Sequence, residues 1–359
     1  MADANLKLGI DTGGTYTDAV LVDGGNRIVA AAKRLTTRHD LTQGIDHVLA
    51  ALPQALLGEV GLVALSTTLS TNSVVEGRGA PVGVLLPGYR AQQVRKSGLL
   101  DVFDDDLVAT LPGGHDATGV AREELDEALT RETIRRQMGR VSAFAVSSMF
   151  GVRNPMHEIR VREWVREMSA RPVTCGHELA SGLDAPRRAL TVALNARMVP
   201  IIQALIFAVQ EILDRRNITA PLMMVKGNGS LINTGTAIRE PVGTVLSGPA
   251  ASVIGASALS GSGNAIIADI GGTTTDIAVV TDGRPELSSD GVRIGHWKPM
   301  VEAVRVISIG LGGDSEVRFS ARTGIEIGPR RVVPLSLLAH LYPGIEKGLQ
   351  HGRVYPAAG

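Results

Sequence analysis

At 359 residues the chain is longer than one hydrophobic core usually serves, so two or three domains are expected; 44% hydrophobic and 20% charged residues exclude the profile of a disordered chain. Thirty-six Lys and Arg balance 36 Asp and Glu, and aromatic residues make up only 3%, so neither the positive field nor the stacking surface of a nucleic-acid binder is present. The lone Cys175 excludes an internal disulfide and fits a reducing, cytoplasmic setting, and residues 1–7 show no signal-peptide pattern.

In chain order, Leu6, Leu8 and Ile10 alternate on one face of a strand. The apolar runs 19–22 and 27–30 follow, separated by the turn Asp23-Gly-Gly-Asn26, which predicts an antiparallel meander. Leu41, Ile45, Val48, Leu49 and Leu52 recur at helical spacing behind Asp40, a residue suited to capping the first turn. Residues 141–146 read as a buried strand, and Asn154-Pro155 opens a helix with Met156, Ile159, Trp164, Val165 and Met168 on its inner side. A second amphipathic helix is predicted from about Leu190 to Leu213. Residues 242–264 are uncharged and long enough to span a bilayer, but their Gly, Pro, Ser and Thr content predicts a loop and a buried helix, with no membrane segment. The pattern is α/β, divided near 181–186 into a first lobe at 1–180 and a second at 181–359.

The most informative feature is an internal repeat. Asp11-Thr-Gly-Gly-Thr-Tyr-Thr-Asp18 returns as Asp269-Ile-Gly-Gly-Thr-Thr-Thr-Asp276, alike at six of eight positions, and each copy lies between two apolar strands. A Gly-Gly turn can adopt positive φ, presents backbone N–H groups and has no Cβ to block a large anion, so Gly13-Gly14 and Gly271-Gly272 suit phosphate. The hydroxyls of Thr12, Thr15, Thr273 and Thr274 add donors. An Asp at the end of the incoming strand repels bare phosphate, so Asp11 and Asp269 make chemical sense beside Mg²⁺, and Asp269 is favoured to orient or deprotonate an attacking group. The alternative is a tight turn capped by its Asp, against which the second copy argues. Asp18 and Asp276 read as residues that align the loop's own amides, with a catalytic role as the alternative. The resulting expectation is two hairpins gripping the phosphates of one ATP with its Mg²⁺; the single-loop Gly-rich nucleotide signatures do not occur in the sequence.

These hairpins resemble the phosphate motifs of the actin, sugar-kinase and heat-shock-chaperone ATPase superfamily. Ser66-Thr-Thr-Leu-Ser-Thr-Asn72, Gly113-Gly-His-Asp116, Asn154-Pro-Met-His-Glu158, Lys226-Gly-Asn-Gly229 and Ser247-Gly-Pro-Ala-Ala251 occur in the order typical of the hydantoinase A and 5-oxoprolinase family, a resemblance covering most of residues 5–330. It implies duplicated ribonuclease H-like (actin-like ATPase) lobes, mixed sheets with flanking helices and a nucleotide cleft between the lobes. It also implies ATP-dependent opening of a cyclic amide, such as a hydantoin or 5-oxoproline, with a B-type partner subunit; a related branch carboxylates ketones. Under this resemblance Thr67, Thr68, Thr71 and Asn72 form a loop near the cleft that contacts substrate or phosphate, with an ordinary Ser/Thr-rich turn as the alternative. Ser247 and Gly248 precede a helix whose exposed N–H groups favour an anion, or serve as a simple N-cap. Gly310-Leu-Gly-Gly-Asp314 resembles the turn that follows the second phosphate hairpin, placing Gly312 and Gly313 near phosphate and Asp314 near the metal, unless it is a plain turn residue.

His115 is either a site histidine or a solvated loop residue, and none of the eight histidines falls in a metal-ligand spacing. Leu65-Ser66 stands where the family usually has His-Gly, and the Gly-Gly-x-Gly-Pro segment that resembles an adenine-binding turn is absent from the sequence, so the second lobe is expected to be incomplete at its C-terminus. A small-molecule kinase, a ketone carboxylase subunit and a non-catalytic nucleotide sensor or scaffold are the alternatives to a cyclic-amide hydrolase. A homodimer is the commonest assembly for such a chain.

Overall fold

The computed structural model describes residues 6–37, 40–75, 79–288, 290–291, 293–295, 297–320, 322, 324–342 and 344–350. The chain divides into two compact units, Met1–Ala251 with Leu287–Val304, and Ser252–Glu286 with Arg305–Gly359.

The first unit holds two sheets. Strands β1 (Leu6–Thr12), β2 (Tyr16–Val22) and β3 (Ile28–Leu35) form the expected antiparallel meander, the third running on to Leu35. Leu6, Leu8 and Ile10 point into a core shared with Ile45, Val48 and Leu49 of helix Leu41–Ala50. Asp40 caps that helix, accepting from the Thr42 backbone N–H at 3.0 Å. Strand β4 (Val60–Thr67) runs parallel beside β1. Strands β5 (Val82–Pro87), β6 (Val108–Leu111), β7 (Ala143–Val146) and β8 (Val173–Cys175) form a second, wholly parallel sheet in the order β6-β5-β7-β8. Every residue of β5 and β7 is buried, as a parallel sheet covered on both faces requires. Strand β9 (Leu222–Val225) returns to the first sheet parallel to β4, and β10 (Leu231–Asn233) adds an antiparallel edge, giving β10-β9-β4-β1-β2-β3.

Helix Ala185–Arg215 joins the two sheets, so the compact units are not cut near 181–186, where the sequence suggested a lobe boundary. Ala189, Val192, Ala193 and Ala196 sit in the core of the second sheet, and Ile202, Ile206, Val209 and Ile212 in the core of the first. Residues 181–251 therefore belong to the first unit. The helix is longer than the predicted 190–213, runs through Pro200, and is buried on every side from Arg188 to Val199 instead of amphipathic, the pattern of a core helix. By length and composition it could cross a bilayer; its buried side chains serve the two cores.

Two further readings are corrected. Helix Met156–Met168 turns Val161, Trp164 and Val165 inward and leaves Met156 57% exposed. Helix Ser247–Ser260, expected to be buried, is covered at Ser247, Ala250 and Val253 and exposed along its last turn.

In the second unit, β11 (Ala265–Ile270) and β12 (Thr275–Thr281) form a hairpin extended by β13 (Arg284–Pro285). The short pair β14 (Leu287–Ser288) and β15 (Ala303–Val304) belongs to the first unit. Strand β16 (Val306–Ile309) then pairs antiparallel with β12, and β17 (Ser315–Ser320) with β18 (Gly324–Arg331) makes a separate hairpin. Alternate residues of these strands are apolar and exposed: Ile266, Val279 and Ile307 on one face of the sheet, and the cross-strand pairs Val317–Ile327 and Phe319–Ile325 on the hairpin. Ile266 is 76% and Phe319 81% exposed, an unusual state for side chains of that size.

Candidate functional site: two glycine hairpins

The sequence repeat is also a repeat of hydrogen bonds. Asp11 stands opposite Asp18 across the first hairpin, and Asp269 opposite Asp276 across the second. The Gly13 N–H donates to the Tyr16 carbonyl at 2.9 Å and the Gly271 N–H to the Thr274 carbonyl at 2.8 Å. None of the four glycines has positive φ, so the expected backbone reason for them is wrong. The other expected reason, space, remains. A Cβ on Gly13 or Gly271 would press on the carbonyl of the turn, at 3.0 and 3.3 Å, whereas a Cβ on Gly14 or Gly272 would meet nothing within 4 Å. The outer glycines keep the space beside each turn open, as close approach of a large anion requires.

In the first unit, Gly13, Gly14, Thr15, Thr68 and Asn72 line one cleft of about 470 Å³, joined by Thr36, Ser73 and Ile201, which sequence reasoning missed. Thr36 braces the turn: its N–H donates to the Thr15 carbonyl at 2.9 Å and its hydroxyl to the Gly13 carbonyl at 2.9 Å, while the Thr17 hydroxyl lies 3.0 Å from the Thr36 oxygen. No sequence signal marks Thr36, because it reaches the turn only through the pairing of β2 with β3. Asp11 is half-buried and accepts from the Ser66 hydroxyl, a contact set by the parallel register that puts Asp11 beside Ser66. A Cβ on Gly248 would stand 3.9 Å from the Asp11 carboxylate, so this glycine lies near Asp11, although neither residue lines the cleft itself.

Other expected contacts are spent inside the fold. Thr12 is fully buried, its hydroxyl donating to the Ser66 carbonyl at 3.3 Å. Thr67 is also buried and accepts from the Leu69 N–H at 3.1 Å. The buried Ser247 hydroxyl donates to the Thr67 carbonyl at 3.1 Å, and Thr71 accepts from the Leu246 N–H at 3.0 Å. Thr12 thus ties β1 to β4, and Thr67, Thr71 and Ser247 join the end of β4 and helix Leu69–Val75, which stand where a loop was expected, to the 246–247 segment. Asp18 does not align the turn amides; it pairs with Lys33 across the sheet at 2.8 Å.

In the second unit, the Gly310–Asp314 turn docks on the second hairpin. The Gly313 N–H donates to the Gly271 carbonyl at 3.0 Å and the Asp314 N–H to the Gly272 carbonyl at 2.8 Å. A Cβ on Gly312 would stand 2.6 Å from the Thr273 nitrogen, so only glycine fits. Thr273 and Thr274 are exposed, as is Asp269, whose carboxylate makes no hydrogen bond or ion pair among the described residues. The Asp314 carboxylate pairs with Arg331, which also donates to the Thr273 carbonyl at 2.6 Å; Asp314 is a turn clamp, not an available metal ligand. Among the described residues no three His, Cys, Asp or Glu converge as a metal group.

A second polar centre lies where the parallel strands of the second sheet end. The fully buried Glu158 accepts from the Ser148 and His177 backbone N–H groups, each at 2.8 Å, and pairs with His177 Nδ1 at 2.6 Å. Arg188, equally buried, donates to the Ser148 carbonyl at 3.0 Å and the Gly182 carbonyl at 2.8 Å. His157 Nδ1 accepts from the Gly114 N–H at 2.9 Å, and His115 stacks on His157 with 4.1 Å between ring centres. His115 is therefore a buried residue, not a solvated loop histidine. Burial lowers the affinity of both imidazoles for a proton. Burial also pushes the Cys175 thiol up, which leaves it inert as a nucleophile. The Gly113–Asp116 and Asn154–Glu158 motifs meet here, a juxtaposition that spacing along the chain does not reveal.

Residues 7–169 match the hydantoinase/oxoprolinase N-terminal region and residues 188–343 the hydantoinase/oxoprolinase domain. The acetophenone carboxylase gamma subunit of Aromatoleum aromaticum is 28% identical over 91% of this chain and 50% of its own length; caprolactamase subunit alpha of Pseudomonas jessenii is 30% identical over 92% and 51%. Among solved structures, ATP-dependent caprolactamase from Pseudomonas jessenii superposes with a TM-score of 0.74 at 26% identity, over 90% of this chain and 51% of that one. Nucleotide-free acetone carboxylase, from work on ATP-dependent acetone carboxylation, gives 0.72 at 25%, over 91% and 51%. The chain spans about half the length of the curated relatives it matches. With both stretches matched in order along most of its length, the chain belongs to the hydantoinase/oxoprolinase family.

Proposed function

We propose that this chain is the nucleotide-handling part of an ATP-dependent hydrolase that opens a cyclic amide. The observation that carries the reading is a hairpin built twice, with one register, one turn hydrogen bond and an unblocked outer glycine in each copy. In this reading both hairpins serve one ATP and belong to duplicated ribonuclease H-like lobes. The open space beside Gly14 and Gly272 and the hydroxyls of Thr15, Thr273 and Thr274 receive phosphate oxygens, while Gly13 and Gly271 close the turns through their own N–H bonds and Gly312 and Gly313 brace the second turn. Asp11 and Asp269 are the residues that would hold Mg²⁺, which would offset the phosphate charge. Asp269 orients the attacking group; Thr68, Asn72 and Gly248 border the substrate. A lactam carbonyl is a poor electrophile; transfer of the γ-phosphoryl group of ATP to its oxygen, with ADP leaving, activates the ring carbon, water adds there, the C–N bond breaks as the ring nitrogen leaves as the amine, and a second water hydrolyses the resulting acyl phosphate to the carboxylate and phosphate.

A ketone carboxylase is the second reading, favoured by the acetophenone and acetone carboxylase relatives. Incubation with ATP, Mg²⁺ and either a lactam or a ketone with bicarbonate, followed by mass spectrometry, separates them. The expected product is the ring-opened amino acid with one phosphate released per ring; a carboxylated ketone establishes the second reading, a phosphorylated metabolite a kinase, and bound but unreacted ATP a sensor or scaffold.

The exposed apolar faces of the second unit support a B-type second polypeptide as partner in place of the homodimer that frequency alone suggests. The chain alone is expected to bind the dye ANS, and Phe319→Asp to reduce that signal with unchanged far-UV circular dichroism; no dye binding removes the argument. The setting proposed is cytoplasmic, consistent with the unpaired Cys175.

A further inference from the structure

The first unit contains another cavity, of about 470 Å³, that shares no lining residue with the Gly13–Gly14 cleft. Lys226 lines it from the carboxyl end of β9, and Glu240 from the end of helix Thr234–Arg239. Both are half-buried. Among the described residues neither the Lys226 ammonium nor the Glu240 carboxylate makes a hydrogen bond or ion pair, with each other or with another side chain. The remaining charges on the wall are satisfied: Arg187 pairs with Asp290 at 3.2 Å and donates to the Lys298 carbonyl at 2.9 Å, and Glu302 accepts from Asn228 at 2.9 Å. Val242 and Met300 add apolar surface to the wall. Gly243 leaves room for the lysine stem, since a Cβ there would stand 3.2 Å from the Lys226 Cε. Partial burial of two opposite charges without counter-charges carries a desolvation cost that the protein itself does not return. A ligand with the complementary pair of charges would return it.

We propose that this cavity binds a small aliphatic amino acid as a zwitterion, its carboxylate on Lys226, its ammonium on Glu240 and its methylenes against Val242 and Met300. The ring-opened product of a lactam is of this class, and that link alone rests on the cyclic-amide reading. Binding requires no nucleotide.

Calorimetric titration of the full chain without ATP tests the proposal, using the ω-amino acids from 4-aminobutyrate to 6-aminohexanoate, with hexanoate and hexylamine as half-ligands. At least one zwitterion binds roughly tenfold or more tightly than either half-ligand, since two charge pairs are made in place of one. Lys226→Met removes the contribution of the carboxylate and Glu240→Gln that of the ammonium, both with wild-type melting. No binding by any member at millimolar concentration overturns the proposal, as does hexanoate binding equally to wild type and Lys226→Met. Either result leaves the nucleotide reading untouched, because ATP is absent from the measurement.

Discussion

Gly14→Ala and Gly272→Ala are each expected to weaken Mg²⁺-ATP binding by roughly tenfold or more, about 1.4 kcal/mol, with melting unchanged. The added methyl meets no protein atom within 4 Å in either hairpin, so the folded chain accepts it without strain. It projects into the space the proposal assigns to phosphate, where close approach to the backbone N–H groups is what binds the anion. The neighbouring glycines give the contrast. Gly312→Ala drives a Cβ to 2.6 Å from the Thr273 nitrogen and is expected to cost about 1–3 kcal/mol of stability, the usual penalty for overpacking. Unchanged affinity in Gly14→Ala and Gly272→Ala, measured by calorimetry, would leave the open space without a phosphate role.

Glu158→Ala is expected to destabilise the first unit by roughly 3–5 kcal/mol, the range seen when one partner of a buried charged network is removed. The carboxylate is fully buried, and its loss strips an acceptor from the Ser148 and His177 N–H groups, both held at 2.8 Å. Each orphaned buried donor costs about 1–3 kcal/mol. Glu158→Gln keeps the shape and one carbonyl acceptor, and should lose less. The same centre sets an acid limit. The buried His115 and His157 take up a proton less readily than the ordinary value of 6.5 dictates, so below that pH the unfolded chain binds protons that the folded chain refuses. Stability is full above 6.5 and declines as pH falls from there toward the lowered folded values. Urea midpoints measured above and below pH 6.5 check this, and His115→Phe should flatten the decline.

What could be read from the sequence follows the range over which each interaction acts. The first meander, the Asp40 cap and the repeated hairpin rest on contacts between near neighbours, and spacing alone located them. Helix Ala185–Arg215 was misread at its start because a periodicity argument assumes one wet face, whereas this helix is enclosed by two sheets. The compact units are cut elsewhere than near 181 for the same reason, while the two family stretches, 7–169 and 188–343, meet there. Within the site, residue type identified Gly14, Thr15, Thr68 and Asn72, which line the first cleft. It misassigned Thr12, Thr67, Thr71 and Ser247, whose hydroxyls are just as polar but turn inward to backbone partners. Strand parity buries Thr12, and only the pairing of β1 with β4 explains why Ser66, absent from the expected site, contacts Asp11. Of the two expected reasons for the hairpin glycines, lateral room and not handedness of the backbone is what they provide.

The most direct test is an equilibrium titration of the intact chain with ATP in the presence and absence of Mg²⁺, repeated with Asp11→Ala and Asp269→Ala. One nucleotide per chain, dependent on the ion and lost in either variant, is the predicted result. No binding at millimolar ATP, or binding that ignores both substitutions, would contradict the assignment of the paired hairpins to a nucleotide.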